Sequence, residues 1–214
     1  MSFVAALTGN IASGKSTVAA ELVERGAWLV DADLLARDAV APGTPGLAAI
    51  VARWGTSVLQ PDGALDRAAL RRIVFASDEE RAHLNAIVHP RVEALRRERV
   101  AAARDAGAPV VICDIPLLFE SGRDRRGDFD AVILVTAPAA VRLARLVEYR
   151  GLAREEAERM MAAQLPEEAK RARADYVIEN GGSREALRAQ VDATWRSLLS
   201  RAATQPSRAA ARPS

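Results

Sequence analysis

Residues 9–16 read GNIASGKS. Two glycines with four residues between them, followed by Lys-Ser, are the spacing of a phosphate-binding loop. Gly9 and Gly14 permit a tight backbone path around Asn10, Ile11, Ala12 and Ser13. The amides from Ala12 to Thr17 can then turn inward on phosphate oxygens, at a helix N-terminus whose dipole favours anions. Lys15 can reach the β- and γ-phosphates as a compact point charge, where the flat fork of an arginine fits less well. Ser16 offers a hydroxyl to Mg²⁺, and Thr17 can bond the α-phosphate. The chain has 214 residues, with 45 alanines, 28 arginines and two lysines, Lys15 and Lys170. Arginine has taken nearly every routine basic position, so the lysine inside the loop is pointed evidence for it. Lys170, in EAKRA, gains no such role, and its side chain is expected to matter little.

A phosphate loop serves GTPases, ATPases and kinases alike. The chain has no Asn-Lys-x-Asp segment to read guanine, and no second long domain for a motor or transporter. A small phosphotransferase remains, with ATP on the loop and an acceptor on the other side. Such chemistry needs a group that orients or deprotonates the incoming hydroxyl, and a second anchor for magnesium. In a parallel sheet both belong at C-terminal strand ends. Asp33, in DADLLAR, is the candidate base, or else a helix cap. Asp31 would share a face with it in an extended chain. Asp114, ending VVICD, suits a water-mediated Mg²⁺ contact or the capping of a loop. Arg37, one helical turn after Asp33, is a candidate for an acceptor phosphate. His89, beside Pro90, reads as a helix boundary or a site residue. Glu120 is a pocket edge or a surface residue. Arg142, Arg145 and Arg150 flank a charged segment that could close as a lid and bring arginines to the transferring phosphate.

Composition narrows the class further. Apolar residues make up 50% and charged residues 27%, a globular balance. Thirty basic and 28 acidic residues leave a net charge of +2, without the excess that binds nucleic acid nonspecifically. One cysteine, Cys113, excludes an internal disulfide framework and a four-cysteine zinc site. No run approaches the roughly 20 apolar residues of a membrane helix. MSFVAALTGN lacks the basic start of a signal peptide. The expectation is a cytoplasmic protein with neither a nucleic-acid nor a membrane partner; the oligomeric state is left open.

The elements that must position these residues alternate. FVAALT (3–8), AWLVDAD (27–33), PVVICD (109–114), AVILVT (131–136) and DYVIEN (175–180) read as buried strands. Helices are expected over 15–25, with Val18, Leu22 and Val23 inward, and over 138–149, 151–164 and 183–199. Asp66 and Ser77 read as N-caps, and Pro90 as the start of a further helix. The fold class is therefore α/β: a parallel five-stranded sheet of P-loop NTPase type flanked by helices. Residues 1–200 form the domain, with a helical insert over about 47–107 on the acceptor side and a lid over about 150–170. The tail 201–214 is expected to be disordered.

ALTGNIASGKSTVA, VDADLLAR, LNAIVHPRV, CDIPLLFE and AAQ…ADYVIENGG occur in that order. Together, from about residue 3 to 199, they resemble the dephospho-coenzyme A kinase family. The resemblance implies transfer of the ATP γ-phosphate to the ribose 3′-hydroxyl of dephospho-CoA, the last step of coenzyme A synthesis. It implies a nucleotide core, a helical CoA-side domain and a lid. It assigns the base role to Asp33, and places His89 and the loop bearing Pro116, Leu117, Leu118 and Glu120 on the acceptor side. It sets Asn180 near the adenine. Where the family carries arginines four apart at the lid entrance, Arg145 is followed here by Tyr149, with Arg150 next. The alternative is another small-molecule or nucleoside monophosphate kinase of this fold. A nucleotide-dependent regulatory protein is the reading from a different class.

Overall fold

A computed structural model describes residues 2–124 and 127–204. They group into two compact units, one from the described residues of 2–30 and 102–204, the other from Asp31–Ala101.

The first unit is built on a five-stranded sheet. Its strands are β1 (Phe3–Gly9), β2 (Trp28–Asp31), β3 (Val110–Asp114), β4 (Ala131–Thr136) and β5 (Tyr176–Glu179), in spatial order β2-β3-β1-β4-β5. β1 pairs in parallel with β3 and β4, and β4 with β5. Every residue of the three inner strands is buried, whereas β2 and β5 at the edges are partly exposed. That is why β1, β3 and β4 read as unbroken apolar runs: helices cover both faces of a parallel sheet. Register sets Leu7 opposite Asp114 and Gly9 opposite Val135. β3 therefore ends two residues short of β1 and β4 runs one residue past it, and the phosphate loop leaves from the middle strand.

Around the sheet stand α1 (Lys15–Glu24), α6 (Ala139–Arg150), α7 (Arg154–Ala162), α8 (Glu167–Arg171) and α9 (Arg184–Thr204). Val18 and Leu22 of α1 are fully buried in the main apolar cluster, together with Leu187, Val191, Trp195 and Leu198 of α9. Val23, expected inward, is 43% exposed; it lies one residue, about 100°, around the helix from Leu22. α9 continues to Thr204, so residues 201–204, expected in the tail, are helical. Arg201 explains the extension. Its guanidinium lies 4.9 Å from the Phe3 ring centre and Nη2 donates to Asp130 O at 3.0 Å. The rest of that expected tail, 205–214, lies outside the described residues.

The second unit contains α2 (Ala32–Asp38), α3 (Pro45–Trp54), a 3-10 turn at Thr56–Val58 and α4 (Arg67–Phe75). It also holds most of α5 (Asp78–Asp105). Thr44 and Asp66 cap α3 and α4, and Ser77 Oγ accepts from Glu80 N ahead of α5. Two expectations fail here. The second strand stops at Asp31, and α2 begins at once. Pro90 does not start a helix but lies inside α5, so His89 marks no boundary. No described helix is long and apolar enough to cross a membrane.

Glu21 of α1 joins the two helices that cover the main cluster. It accepts from Arg25 Nη1 at 2.8 Å and from Arg188 Nε of α9 at 3.0 Å, and Arg25 Nε donates to Asp192 at 2.6 Å. The hydrogen bond from Arg25, then that from Arg188, holds the Glu21 carboxyl below its ordinary 4.5. A carboxylate whose folded pKa is lowered stabilises above its unfolded pKa and loses that contribution as pH falls through the folded one. Glu21→Gln is expected to melt at a lower temperature than the parent at pH 7. The difference should close below pH 4.5, as circular dichroism melts across pH would show.

Candidate active site

The phosphate loop is shaped by its glycines and pinned from behind. Gly14, at φ +85°, caps α1 in the left-handed region, and a Cβ there would stand 1.9 Å from Asn180 Nδ2. A Cβ on Gly9 would meet Ser13 Oγ and Val135 O, both at 2.6 Å. Ala12 takes φ 58°, a left-handed conformation uncommon for a residue with a side chain. Three side chains from distant elements hold this path. Arg145 of α6 donates to Ala12 O at 3.1 Å and to Asn180 O at 2.9 Å. Asn180, just past β5, donates through Nδ2 to Ser13 O at 2.8 Å. Gln164, between α7 and α8, accepts from Ile11 N at 2.8 Å.

The Ser13 amide is taken by Asn10 O and the Thr17 amide by Gly14 O, both at 3.0 Å; the amides of Gly14, Lys15 and Ser16 between them stand at the helix start, where an anion can be met. Helix starts have no intrahelical acceptor for these groups, and the helix dipole adds to their pull. The Asn10 Oδ1 and Ser13 Oγ atoms are buried without a hydrogen-bond partner. Ser16 and Thr17 are exposed at the mouth. Lys15 Nζ is paired with Asp114 Oδ1, from the neighbouring strand end.

Lys15, at the start of α1, and Asp114, at the end of β3, therefore come together, with Ser16 next to Lys15 in the chain. Among the described residues no group of three or more His, Cys, Asp or Glu side chains gathers as a metal site. One hydroxyl and one carboxylate suit Mg²⁺ that arrives with a nucleotide, because this ion keeps waters and phosphate oxygens as ligands.

Other expected residues fall elsewhere. Arg145 reaches the loop, but by bonding two carbonyls. Arg142 is buried in α6 instead of standing on a lid surface; its Nε donates to Ala137 O at 3.0 Å and Nη1 has no partner. Desolvation lowers its pKa, opposed by the charge of Glu167. Glu167 itself sits below its ordinary value: burial acts to raise it, but the Thr136 hydroxyl and Arg171 outweigh burial. Arg150 is exposed at the end of α6. Asn180 touches the loop backbone. Leu118 is fully buried, so its side chain serves packing, whereas Leu117 of the same loop is 52% exposed. In the second unit Asp31 is the cap of α2, accepting from Asp33 N and Leu34 N. Asp33 and Arg37 are exposed one turn apart on α2, and His89 is exposed on α5.

Glu120 and Lys170 change most. Lys170 is 1% exposed and its Nζ lies 2.6 Å from Glu120 Oε1. Glu120 is thus held from within by a buried charge. Rarity was the one signal for Lys170 in a chain of arginines. Gln164 closes the AAQ of the ordered motifs, the signal that could have found it, although the motif by itself assigns it no role.

A glycine-lysine loop at the end of a central parallel strand, its lysine paired with a carboxylate from the neighbouring strand end, is the phosphate-binding site of a P-loop protein, and the relatives of this chain narrow that class to a kinase. The family model described as dephospho-CoA kinase matches residues 3–185. A dephospho-CoA kinase of Frankia casuarinae is 48% identical over 199 residues, 93% of this chain and 85% of that protein. A crystal structure from Thermus thermophilus superposes with a TM-score of 0.78 at 40% identity, covering 92% of this chain and 98% of the other. A dephospho-CoA kinase from Campylobacter jejuni does so at 0.71 and 25%, covering 94% and 98%. The chain belongs to the dephospho-CoA kinase family, as its ordered motifs implied, and is an ATP-dependent phosphotransferase.

The buried pair gives Lys170 a structural role that its rarity alone did not assign. Removing one partner of such a pair leaves the other charge without compensation, at a cost of about 3 kcal/mol. Lys170→Ala is expected to lower the melting temperature by roughly 6–12 °C, measured by calorimetry.

Proposed function

We propose that this chain transfers the γ-phosphate of ATP to the ribose 3′-hydroxyl of dephospho-CoA, the final step of coenzyme A synthesis. The glycine-shaped loop that ends in the amides of Gly14, Lys15 and Ser16 at the start of α1, with the Lys15 side chain beside it, is the observation that carries the nucleotide half of this reading. Family membership supports the acceptor half. ATP lies with its phosphates on the loop amides and Lys15. Ser16 and, through water, Asp114 would hold Mg²⁺, which would supply neutralisation of the triphosphate charge.

In the transfer, the 3′-oxygen forms a bond to the γ-phosphorus while the bond from that phosphorus to the bridging oxygen breaks. ADP leaves with the electron pair, and the hydroxyl proton goes to the Asp33 carboxylate. Asp33 is suited to this by its place in the first turn of α2. Its backbone amide is taken by the Asp31 cap, and its exposed side chain is left for the acceptor. Arg37 binds a phosphate of dephospho-CoA, and His89, Pro116 and Leu117 contact the same substrate. The segment of α7 and α8 acts as the lid. Most of the rate comes from alignment and charge stabilisation, as expected for a loose phosphoryl transition state.

An acceptor panel tests the reading directly. ADP release should depend on dephospho-CoA, and nucleoside monophosphates and shikimate should give background only. Turnover confined to the latter compounds, or ATP binding without acceptor-dependent turnover, would refute it. Asp33→Asn should lower kcat by about 10²–10⁴-fold with the ATP dissociation constant kept; an unchanged kcat would remove Asp33 from the base role.

A further inference from the structure

Gln164 and Leu165 form the corner between α7 and α8, and this corner is fastened in two directions. Gln164 Oε1 accepts from Ile11 N at 2.8 Å, linking positions 153 residues apart. One residue later, Leu165 N donates to Glu120 Oε1 at 3.3 Å. That same oxygen lies 2.6 Å from Lys170 Nζ, and the other Glu120 oxygen is buried without a hydrogen-bond partner. Residues 164–170 thus hold the start of the phosphate loop at one end and the loop after β3 at the other. A lid fastened only by exposed contacts would not need a fully buried lysine.

Ile11 opens the loop interior, ahead of Ala12 with its left-handed backbone. The carbonyl of the Asn10–Ile11 peptide accepts from Ser13 N at 3.0 Å; Gln164 holds the amide side of the same peptide, and without it one of the two restraints that set the direction of the loop is lost. Gln164 satisfies this amide with a neutral oxygen. A glutamate would bond it too, but would set a negative charge beside the phosphates. An asparagine is one methylene shorter.

We propose that Gln164 is a positioning residue for ATP, and that the Lys170–Glu120 pair holds it in place. The proposal rests on the nucleotide reading of the loop and adds to it a tether that runs from the loop after β3, through the lid corner, to the phosphate site.

Steady-state kinetics of the full chain test it, varying ATP and dephospho-CoA separately. Gln164→Ala should raise the KM for ATP about tenfold, the size of one lost hydrogen bond, with the KM for dephospho-CoA within about twofold and little change in melting temperature. Gln164→Met, which keeps the volume and removes the acceptor, should behave the same. Lys170→Met should also raise the ATP KM, a quantity that does not depend on the fraction of folded enzyme. Combined with Gln164→Ala it should add no more than about twofold, because both act through one bond. An ATP KM unmoved by Gln164→Ala, or both KM values raised alike, would overturn the role of Gln164. Multiplying effects in the double variant would overturn the role of Lys170. Should Lys170→Met fail to fold, hydrogen exchange at the Ile11 amide decides: it should accelerate in Gln164→Ala, and unchanged protection overturns the proposal. An active parent indifferent to Gln164→Ala sinks this tether alone, whereas a parent that neither binds nor turns over ATP sinks the nucleotide reading with it.

Discussion

The carbonyl groups of Ala12 and Ser13 are hydrogen-bonded from behind, by Arg145 and by Asn180, and the character of the site follows from that. A peptide unit cannot turn its oxygen one way without turning its N–H the other. Fixing the Ser13 carbonyl outward therefore aims the Gly14 amide the other way, while the amide that shares a peptide with the Ala12 carbonyl, that of Ser13, is locked onto Asn10 O at 3.0 Å. Preorganised dipoles of this kind stabilise charge without reorganising during the reaction. The same two bonds account for the glycines. Gly14 must present its backbone to Asn180 at a distance that no side chain allows, and Gly9 must do so to Val135 and Ser13. The functional loop is stiff because its surroundings over-determine it, which is also how Ala12 is kept at an unfavourable φ.

The sheet supplies the rest of the geometry. Parallel pairing in register brings Leu7 beside Asp114 and Gly9 beside Val135, so lysine and carboxylate meet at adjacent strand ends. Lys15 and Asp114 pair in the free protein, each neutralising a charge that would otherwise stand alone in a partly buried place. The other lysine is handled differently. Lys170 is fully buried against Glu120, where a slim side chain ending in a point charge fits more readily than a wide guanidinium. Both lysines of this arginine-rich chain thus occupy sites where shape as well as charge is constrained.

Much of this molecule was readable in its residue order. The five strands, the phosphate loop, the caps at Asp66 and Ser77 and the family motifs depend on local spacing, and local spacing survives in one dimension. Where the reading failed, a neighbour distant in sequence or a competing local bond had decided the matter. Asp31 and Asp33 look like the end of one strand, but Asp31 captures two amides and turns the chain into α2. His89-Pro90 looks like a boundary, but the helix runs through it. Leu118 and Arg142 look available, but are buried. The tail was expected to begin at residue 201, but Arg201 finds Phe3 and Asp130.

By itself, then, the sequence determined the order of elements, the phosphate loop and the family, because each is encoded by residues close together along the chain. Tertiary structure alone decided which side chains hold that loop. Arg145, Gln164 and Asn180 reach it across 133, 153 and 167 positions, and Lys170 finds Glu120 from another element. No periodicity or spacing records such pairs, since what selects them is the distance between folded elements and the cost of leaving a buried polar group without a partner.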